Sequence, residues 1–322
     1  VKRIAILQFH RDVAILRNRV RLVEAFNPGM DVYAVYGGRE SLFPMFHAAV
    51  RDLLGTSLRH VYCIRGKSQL WKRTHTDLAL RLWFHDVGHA VEFDSAVLLQ
   101  WDLVLFDSID RLYAHVPSDV VGLTGLTPLR QIAEGWPWTS YPSWRREWEE
   151  LLREVERSYG YRGEPYACLG PGASFPRAFL DEYARIELPE TCHDEVRVPL
   201  FAQILGFGLA DTQLYRRWFD PEEDRVFNAD EEEIDLATIL AHLGDPEGRR
   251  AFHPFRHVFR RDRACRAALS PAIAEVICAR HQMDRLESWA SGGLTAARLP
   301  HRLWKSLEAR ARRRTGRQGW PH

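Results

Sequence analysis

Four short clusters of this chain carry side chains that can do chemistry. The first is Gln100-Trp101-Asp102, placed directly after the apolar run Ala96–Leu99. A carboxylate at such a strand end is a natural oxygen ligand for a hard divalent cation. The second is Gly170-Pro171-Gly172, where glycine lets backbone approach a ligand closely. The third is His193-Asp194-Glu195, two acids at the head of an apolar run through Val196, Val198, Phe201, Ile204 and Leu205. Acids suit a helix start for electrostatic reasons alone, and one of them, partly buried, can also serve as a proton acceptor. The fourth is Ala251-Phe252-His253-Pro254-Phe255, with a lone histidine between aromatics.

These clusters need elements to hold them. Ile4–Leu7 reads as a strand. Asp12 can cap the helix that follows, with Val13, Leu16, Val20, Val23 and Phe26 as its apolar face, and Asn27-Pro28-Gly29 stops it. Met30–Tyr36 and His60–Ile64 read as further strands, Ser41–Leu54 and Leu70–Phe84 as helices, and Ala96–Leu99 as a fourth strand. Strands without polar alternation, separated by helices, indicate a parallel sheet covered on both faces. Ligands of such sheets bind at the carboxyl ends of the strands. That points to Gln8-Phe9-His10-Arg11, Tyr36-Gly37-Gly38, Arg65-Gly66-Lys67 and Gln100-Trp101-Asp102. Tyr166–Leu169 is expected to be a strand that ends at the glycines, with Ser174 capping a helix from about Pro176. The Trp-, Pro- and Tyr-rich stretch from Trp136 to Trp148 is expected to be irregular.

In that order and context the clusters resemble the motifs of GT-A glycosyltransferases. Ala96–Tyr113 resembles the D-x-D signature, Tyr166–Leu180 the glycine loop, His193-Asp194-Glu195 the x-E-D motif, and Ala251–Phe255 the C-terminal histidine motif. The resemblance spans residues 1 to about 257. It implies an α/β GT-A fold with a mostly parallel central sheet and helices on both faces, divided into a nucleotide-binding half (1–113) and an acceptor half (114–257). Residues 258–322 are expected to form a helical extension.

The resemblance further implies sugar transfer from a nucleotide-diphosphate donor, UDP-sugar favoured, to a hydroxyl acceptor. Asp102 and His253 would bind Mn2+ or Mg2+. Glu195, with Asp194 as neighbour and substitute, would be the base of an inverting reaction. Phe9, Arg11, Tyr36 and Gly37 are expected to hold base and ribose, with Lys72 or Asp77 reaching ribose or sugar. Gln100, Trp101, Gly170 and Gly172 complete the donor site. Gln100 departs from the pattern, because an acid is expected there and the site loses one charge. A retaining transferase and a catalytically weak nucleotide-sugar-binding protein are the alternatives. A remote one is an HD-type phosphohydrolase, from His85-Asp86-Val87-Gly88-His89, although those residues read as a polar helix end.

The bulk composition fits an ordinary globular protein: 322 residues, 46% hydrophobic, 27% charged. A net charge of +1 gives no argument for nucleic acid. Five scattered cysteines without CxxC spacing read as reduced thiols of a cytoplasmic protein, and no signal peptide is expected ahead of the first strand. Trp136, Trp138, Tyr141 and Trp144 are candidates for stacking on an acceptor ring. The basic tail from Leu303-Trp304 to Arg317 reads as a solvated helix face, with contact to an anionic membrane carrying a lipid-linked acceptor as the alternative.

Overall fold

The structure, a computed structural model, describes residues 1–229, 232–260 and 263–279. Its first hundred residues alternate β1 (Arg3–Phe9), α1 (Val13–Phe26), β2 (Asp31–Tyr36), α2 (Phe43–Leu54), β3 (His60–Cys63), α3 (Gln69–Thr74), α4 (Thr76–Asp86) and β4 (Ser95–Gln100). Then follow β5 (Val104–Leu105), α5 (Ile109–Leu112), β6 (Val121–Pro128), α6 (Pro137–Ser140), α7 (Pro142–Tyr159), β7 (Tyr166–Pro176), α8 (Arg177–Arg185), α9 (Asp194–Ile204) and β8 (Leu209–Asp211). The described chain ends with α10 (Pro221–Asp224), α11 (Leu236–Gly244), β9 (Ala251–Phe252), α12 (Arg263–Ala268) and α13 (Pro271–Ala279). Residues Val1–Ile273 form one compact unit; of the second, Ala274–His322, only the end of α13 is described. The basic tail, with Leu303, Trp304 and Arg310–Arg317, lies outside the described residues.

Seven strands form one sheet in the order β3-β2-β1-β4-β7-β6-β8. Every neighbouring pair is parallel except the two that involve β7, which runs against β4 and β6. The fold is therefore mixed α/β with a mostly parallel central sheet. Side chains along β1 alternate between two cores, as strand geometry requires. Ile4 and Ile6 join Trp83, Leu98, Phe179 and Phe201 on one face, under α4, α8 and α9. Ala5 and Leu7 join Leu16, Val20, Val97 and Val50 on the other, under α1 and α2. Each large apolar side chain so buried contributes about 1.5–3 kcal/mol.

Three expectations about local structure are corrected. The helix over Leu70–Phe84 is broken: His75, at φ −134° and ψ 53°, separates α3 from α4. The stretch Trp136–Trp148 is helical, since Pro137 and Pro142 each sit in a first helical turn, where a missing N–H costs nothing. And β7 runs straight through Gly170-Pro171-Gly172 to Pro176. Ser174 there is a ladder residue opposite Val97 and Gly122, and α8 has no side-chain cap. By contrast Asp12 does cap α1, accepting from the amides of Ala14 and Ile15.

Candidate active site

Two acidic groups face the carboxyl ends of β1 and β4, and Gly170 lies beside one of them. The first group is built on Asp102, just past β4 and 6% exposed. His253 follows β9, which pairs with β5, and that pairing returns the histidine to the end of the sheet. The Phe255 amide donates to the Asp102 carbonyl at 2.8 Å and fixes the two segments together. His253 Nε2 then stands 3.4 Å from Asp102 Oδ1, while Nδ1 lies 2.7 Å from the Asn228 carbonyl. A backbone acceptor on Nδ1 fixes the orientation of the ring, with Nε2 aimed at Asp102. Asp102 Oδ1 is buried and accepts no hydrogen bond. Arg256 Nε approaches Oδ2 at 3.4 Å. Burial works to raise the Asp102 pKa, but His253 and Arg256 outweigh it and hold the carboxyl down to about 2.

A buried carboxylate oxygen without a donor, facing an imidazole nitrogen oriented by a carbonyl, is a donor set that fits a divalent cation. It supplies two ligands. Among the described residues no group of three or more His, Cys, Asp or Glu could hold a metal, so the remaining ligands would come from substrate and water.

Around Asp102 the charge is positive. Trp101 meets His10 edge-on at 4.9 Å, with the Arg11 guanidinium 5.1 Å from the indole centroid. Burial first, then Arg11, Arg73 and Arg256, depress the His10 pKa to about 4 against the opposing pull of Asp102. His10 belongs to the strand-end run Gln8-Phe9-His10-Arg11 that the sequence points to, whereas Arg73 and Arg256 were not among the residues picked out of it. Arg73 comes from α3 and Arg256 lies three residues past His253, and no local pattern ties either to β1.

The second group is the acidic first turn of α9. Its two acids diverge, as neighbours on a helix start must. Asp194 Oδ2 accepts from the Thr76 amide at 2.9 Å and from the Thr76 hydroxyl. Glu195 turns the other way: Oε1 accepts from the Gly170 amide at 2.9 Å and Oε2 from Trp138 Nε1 at 2.6 Å. Both acids are under 10% exposed. Burial is the main cause of a raised Glu195 pKa; Asp194 adds to it, while His193 and the two hydrogen bonds oppose it. For Asp194, burial is outweighed by His193 and Thr76, and the pKa falls.

His193 stacks on Trp138 at 3.9 Å and 12°. Its Nδ1 is 2.8 Å from Asp194 Oδ1 and 3.3 Å from the Glu195 amide nitrogen. One atom cannot donate to the first and accept from the second. The shorter, charge-assisted contact prevails when Nδ1 carries a proton, and it gives the otherwise unpartnered Asp194 Oδ1 a donor. Burial lowers the His193 pKa, but the two acids raise it further, for a net upward shift.

Gly170 joins Gln100 to the acidic turn. A Cβ built on it would stand 3.1 Å from Gln100 Nε2 and 3.7 Å from Glu195 Oε1. Gly172 serves packing instead: at φ +83° its Cβ would meet Leu214 Cδ1 at 2.5 Å, and its carbonyl accepts from Tyr113.

Of the stacking and backbone contacts by which Phe9 and Tyr36 are expected to hold base and ribose, the stacking is not open to their rings. Phe9 is 2% and Tyr36 0% exposed, both packed in the core, so neither ring offers a face to a ligand. Gly37 remains at the strand end, its amide on the Phe9 carbonyl at 2.7 Å. Lys72 Nζ donates to the Gly38 carbonyl at 2.9 Å, and burial lowers its pKa. Asp77 is corrected as a sugar contact too, because both its oxygens are taken up by Arg197 and Tyr183. Trp136 is buried against Trp218, Trp144 packs edge-on to Trp138, and Tyr141 is exposed. His85 and Asp86 lie at the exposed far end of α4, bonded to each other and to Tyr62, away from both acidic groups.

No family model matches the chain, and no curated protein matches it. Among solved structures, the chain is similar to galactosyltransferase LgtC in complex with donor and acceptor sugar analogs. That likeness has a TM-score of 0.38 and 14% identity, and it covers 68% of this chain and 81% of that one. An active-site mutant of LgtC is similar at a TM-score of 0.37 and 15% identity, with the same coverage. Among the described residues no helix is long and apolar enough to cross a membrane.

Proposed function

We propose that this chain transfers a sugar from a nucleotide-diphosphate donor, a UDP-sugar in preference, to a hydroxyl acceptor with inversion. One observation carries the reading. A buried acid–histidine pair with Arg256 beside it, the charges of Arg11 and Arg73 acting on the nearby His10, and a buried glutamate of raised pKa share the carboxyl end of one sheet. Arg11, Arg73 and Arg256 supply the charge that a diphosphate needs. Asp102 and His253 would hold Mn2+ or Mg2+, which neutralises negative charge on a departing diphosphate. Gln100 contributes a neutral donor where a second acid would add charge. Glu195 takes the proton of the acceptor hydroxyl as its oxygen bonds to the anomeric carbon and the bond to the diphosphate breaks. The raised pKa makes Glu195 a stronger base than a solvated glutamate, and Trp138 and Gly170 hold it still.

Retention is the second reading. It is favoured by the fact that both Glu195 oxygens already accept hydrogen bonds. A mass-spectrometric screen of nucleotide sugars, with Mn2+ and with EDTA, tests the activity, and the anomeric configuration of the product decides between the readings. Binding of intact donor without turnover would make the chain a sugar-nucleotide-binding protein. Full turnover in EDTA would remove the metal from the reading.

A further inference from the structure

We infer that Asp77 and Arg197 are positioning residues for Glu195, acting through the turn at Cys192 and through Asp194. The inference rests on the reading of Glu195 as the base. Arg197 lies on the first turns of α9 with its guanidinium fully enclosed. Nε donates to Asp77 Oδ2 at 2.9 Å and one terminal nitrogen to Oδ1 at 2.5 Å. The other terminal nitrogen donates to the carbonyls of Thr191 and Cys192 at 2.9 and 2.7 Å. Tyr183 donates to Asp77 Oδ2 as well.

A buried ion pair is a poor source of stability, since an apolar pair of similar volume does as well or better. What this one fixes is geometry. Cys192 has φ +66°, a left-handed conformation that side chains avoid. It is held from both sides, its carbonyl by Arg197 and its amide by Glu147 Oε2 at 3.2 Å. The chain leaves that turn directly into His193, Asp194 and Glu195. On the opposite side, Asp77 sits next to Thr76, which grips Asp194 through its amide and hydroxyl. The first turn of α4 thus holds the acidic turn at two points: Thr76 on Asp194, and Asp77 on Arg197. With both fixed, Glu195 has one direction left, toward Gly170 and Trp138.

The test compares Asp77→Asn with the double variant Asp77→Asn/Arg197→Gln, which leaves no unpaired buried charge and so keeps the fold testable. Two readouts are followed. In transfer assays kcat is expected to fall about tenfold to a hundredfold, the size of effect that small misplacements of reacting groups produce, with donor KM changed less than about twofold. By NMR, the Trp138 indole N–H, assigned with Trp138→Phe, reports the ionisation of Glu195, its 2.6 Å acceptor, together with that of His193 stacked on the ring at 3.9 Å. Its pH titration is expected to move in the double variant. A folded double variant with wild-type kcat and an unmoved Trp138 titration would overturn the inference. So would a raised donor KM at unchanged kcat, which would make Asp77 a donor contact. If the wild-type chain transfers no sugar at all, the Trp138 titration alone decides. Movement then leaves the positioning role standing while the proposed activity falls, and no movement removes both.

Discussion

Replacing Glu195 by glutamine changes one oxygen to an amide nitrogen in a place where both oxygens accept hydrogen bonds. The amide can accept at one end only. Its NH2 must then face either the Gly170 amide or the Trp138 indole, and one buried donor loses its partner. An unsatisfied buried donor costs about 1–3 kcal/mol. The substitution also removes a carboxylate whose charged form burial penalises, so a net loss of about 1 kcal/mol near pH 7 is expected, or about 2–4 °C in Tm for a domain of this size. The pH dependence has a definite sign. A folded pKa above the unfolded one gives stability that is present below the unfolded value and lost as pH rises through the folded one. The wild type therefore loses ground as pH rises, and the Tm deficit of Glu195→Gln should be larger at pH 4 than at pH 8. Transfer should fall at least about a hundredfold, the lower range for loss of a general base, with donor affinity nearly unchanged. Differential scanning fluorimetry across pH, calorimetric donor binding and a product assay read all three. A deficit that grows with pH would refute the electrostatic argument, and retained transfer would refute the catalytic one.

Asp102→Asn should abolish Mn2+-dependent transfer and weaken Mn2+ binding measured by electron paramagnetic resonance. In metal-free protein its stability cost, measured by denaturant unfolding, should be present at pH 7 and shrink as pH falls from about 4 toward 2, because a depressed carboxyl pKa stabilises only above that window. Gly172→Ala meets both a positive φ and Leu214, so a loss of about 2–4 kcal/mol in denaturant unfolding is expected. Gly170→Ala meets only the movable end of Gln100 closely and leaves Glu195 at ordinary contact distance; it should keep the Tm within about 3 °C, roughly 1 kcal/mol, while lowering kcat.

The parallel half of the sheet was legible because β1, β2 and β4 are apolar on both faces, and a doubly covered strand announces itself in its own residues. The break at His75 was not. Nothing between Leu70 and Phe84 interrupts the helical pattern, and the chain breaks there to present the Thr76 amide to Asp194, 118 residues away. The pattern of Trp148, Leu151 and Val155 on α7 was available, but two prolines were read as loop residues when they sit in first turns. The divergence of Asp194 and Glu195 followed from helix geometry. Their partners did not, since Trp138, Gly170 and Thr76 reach them through tertiary contacts that leave no local pattern. The burial of the Phe9 and Tyr36 rings was hidden for a related reason: a strand end can be located from sequence, but not which of its side chains turns inward.

The pairing of β5 with β9 sets a schedule for the growing chain. Asp102 is synthesised roughly 150 residues before His253, which at about 5–20 residues per second leaves a gap of about 8–30 seconds. Through that interval Arg19 also waits for its acceptors on Phe255 and His257, and Asn18 for Phe259. The first β-α-β units can associate on the ribosome, but they do so around a cationic side chain that until then has only Trp101 and Asn18 as acceptors. A nascent chain stalled before residue 250 would therefore carry Asp102 without His253 and an arginine with only part of its acceptors.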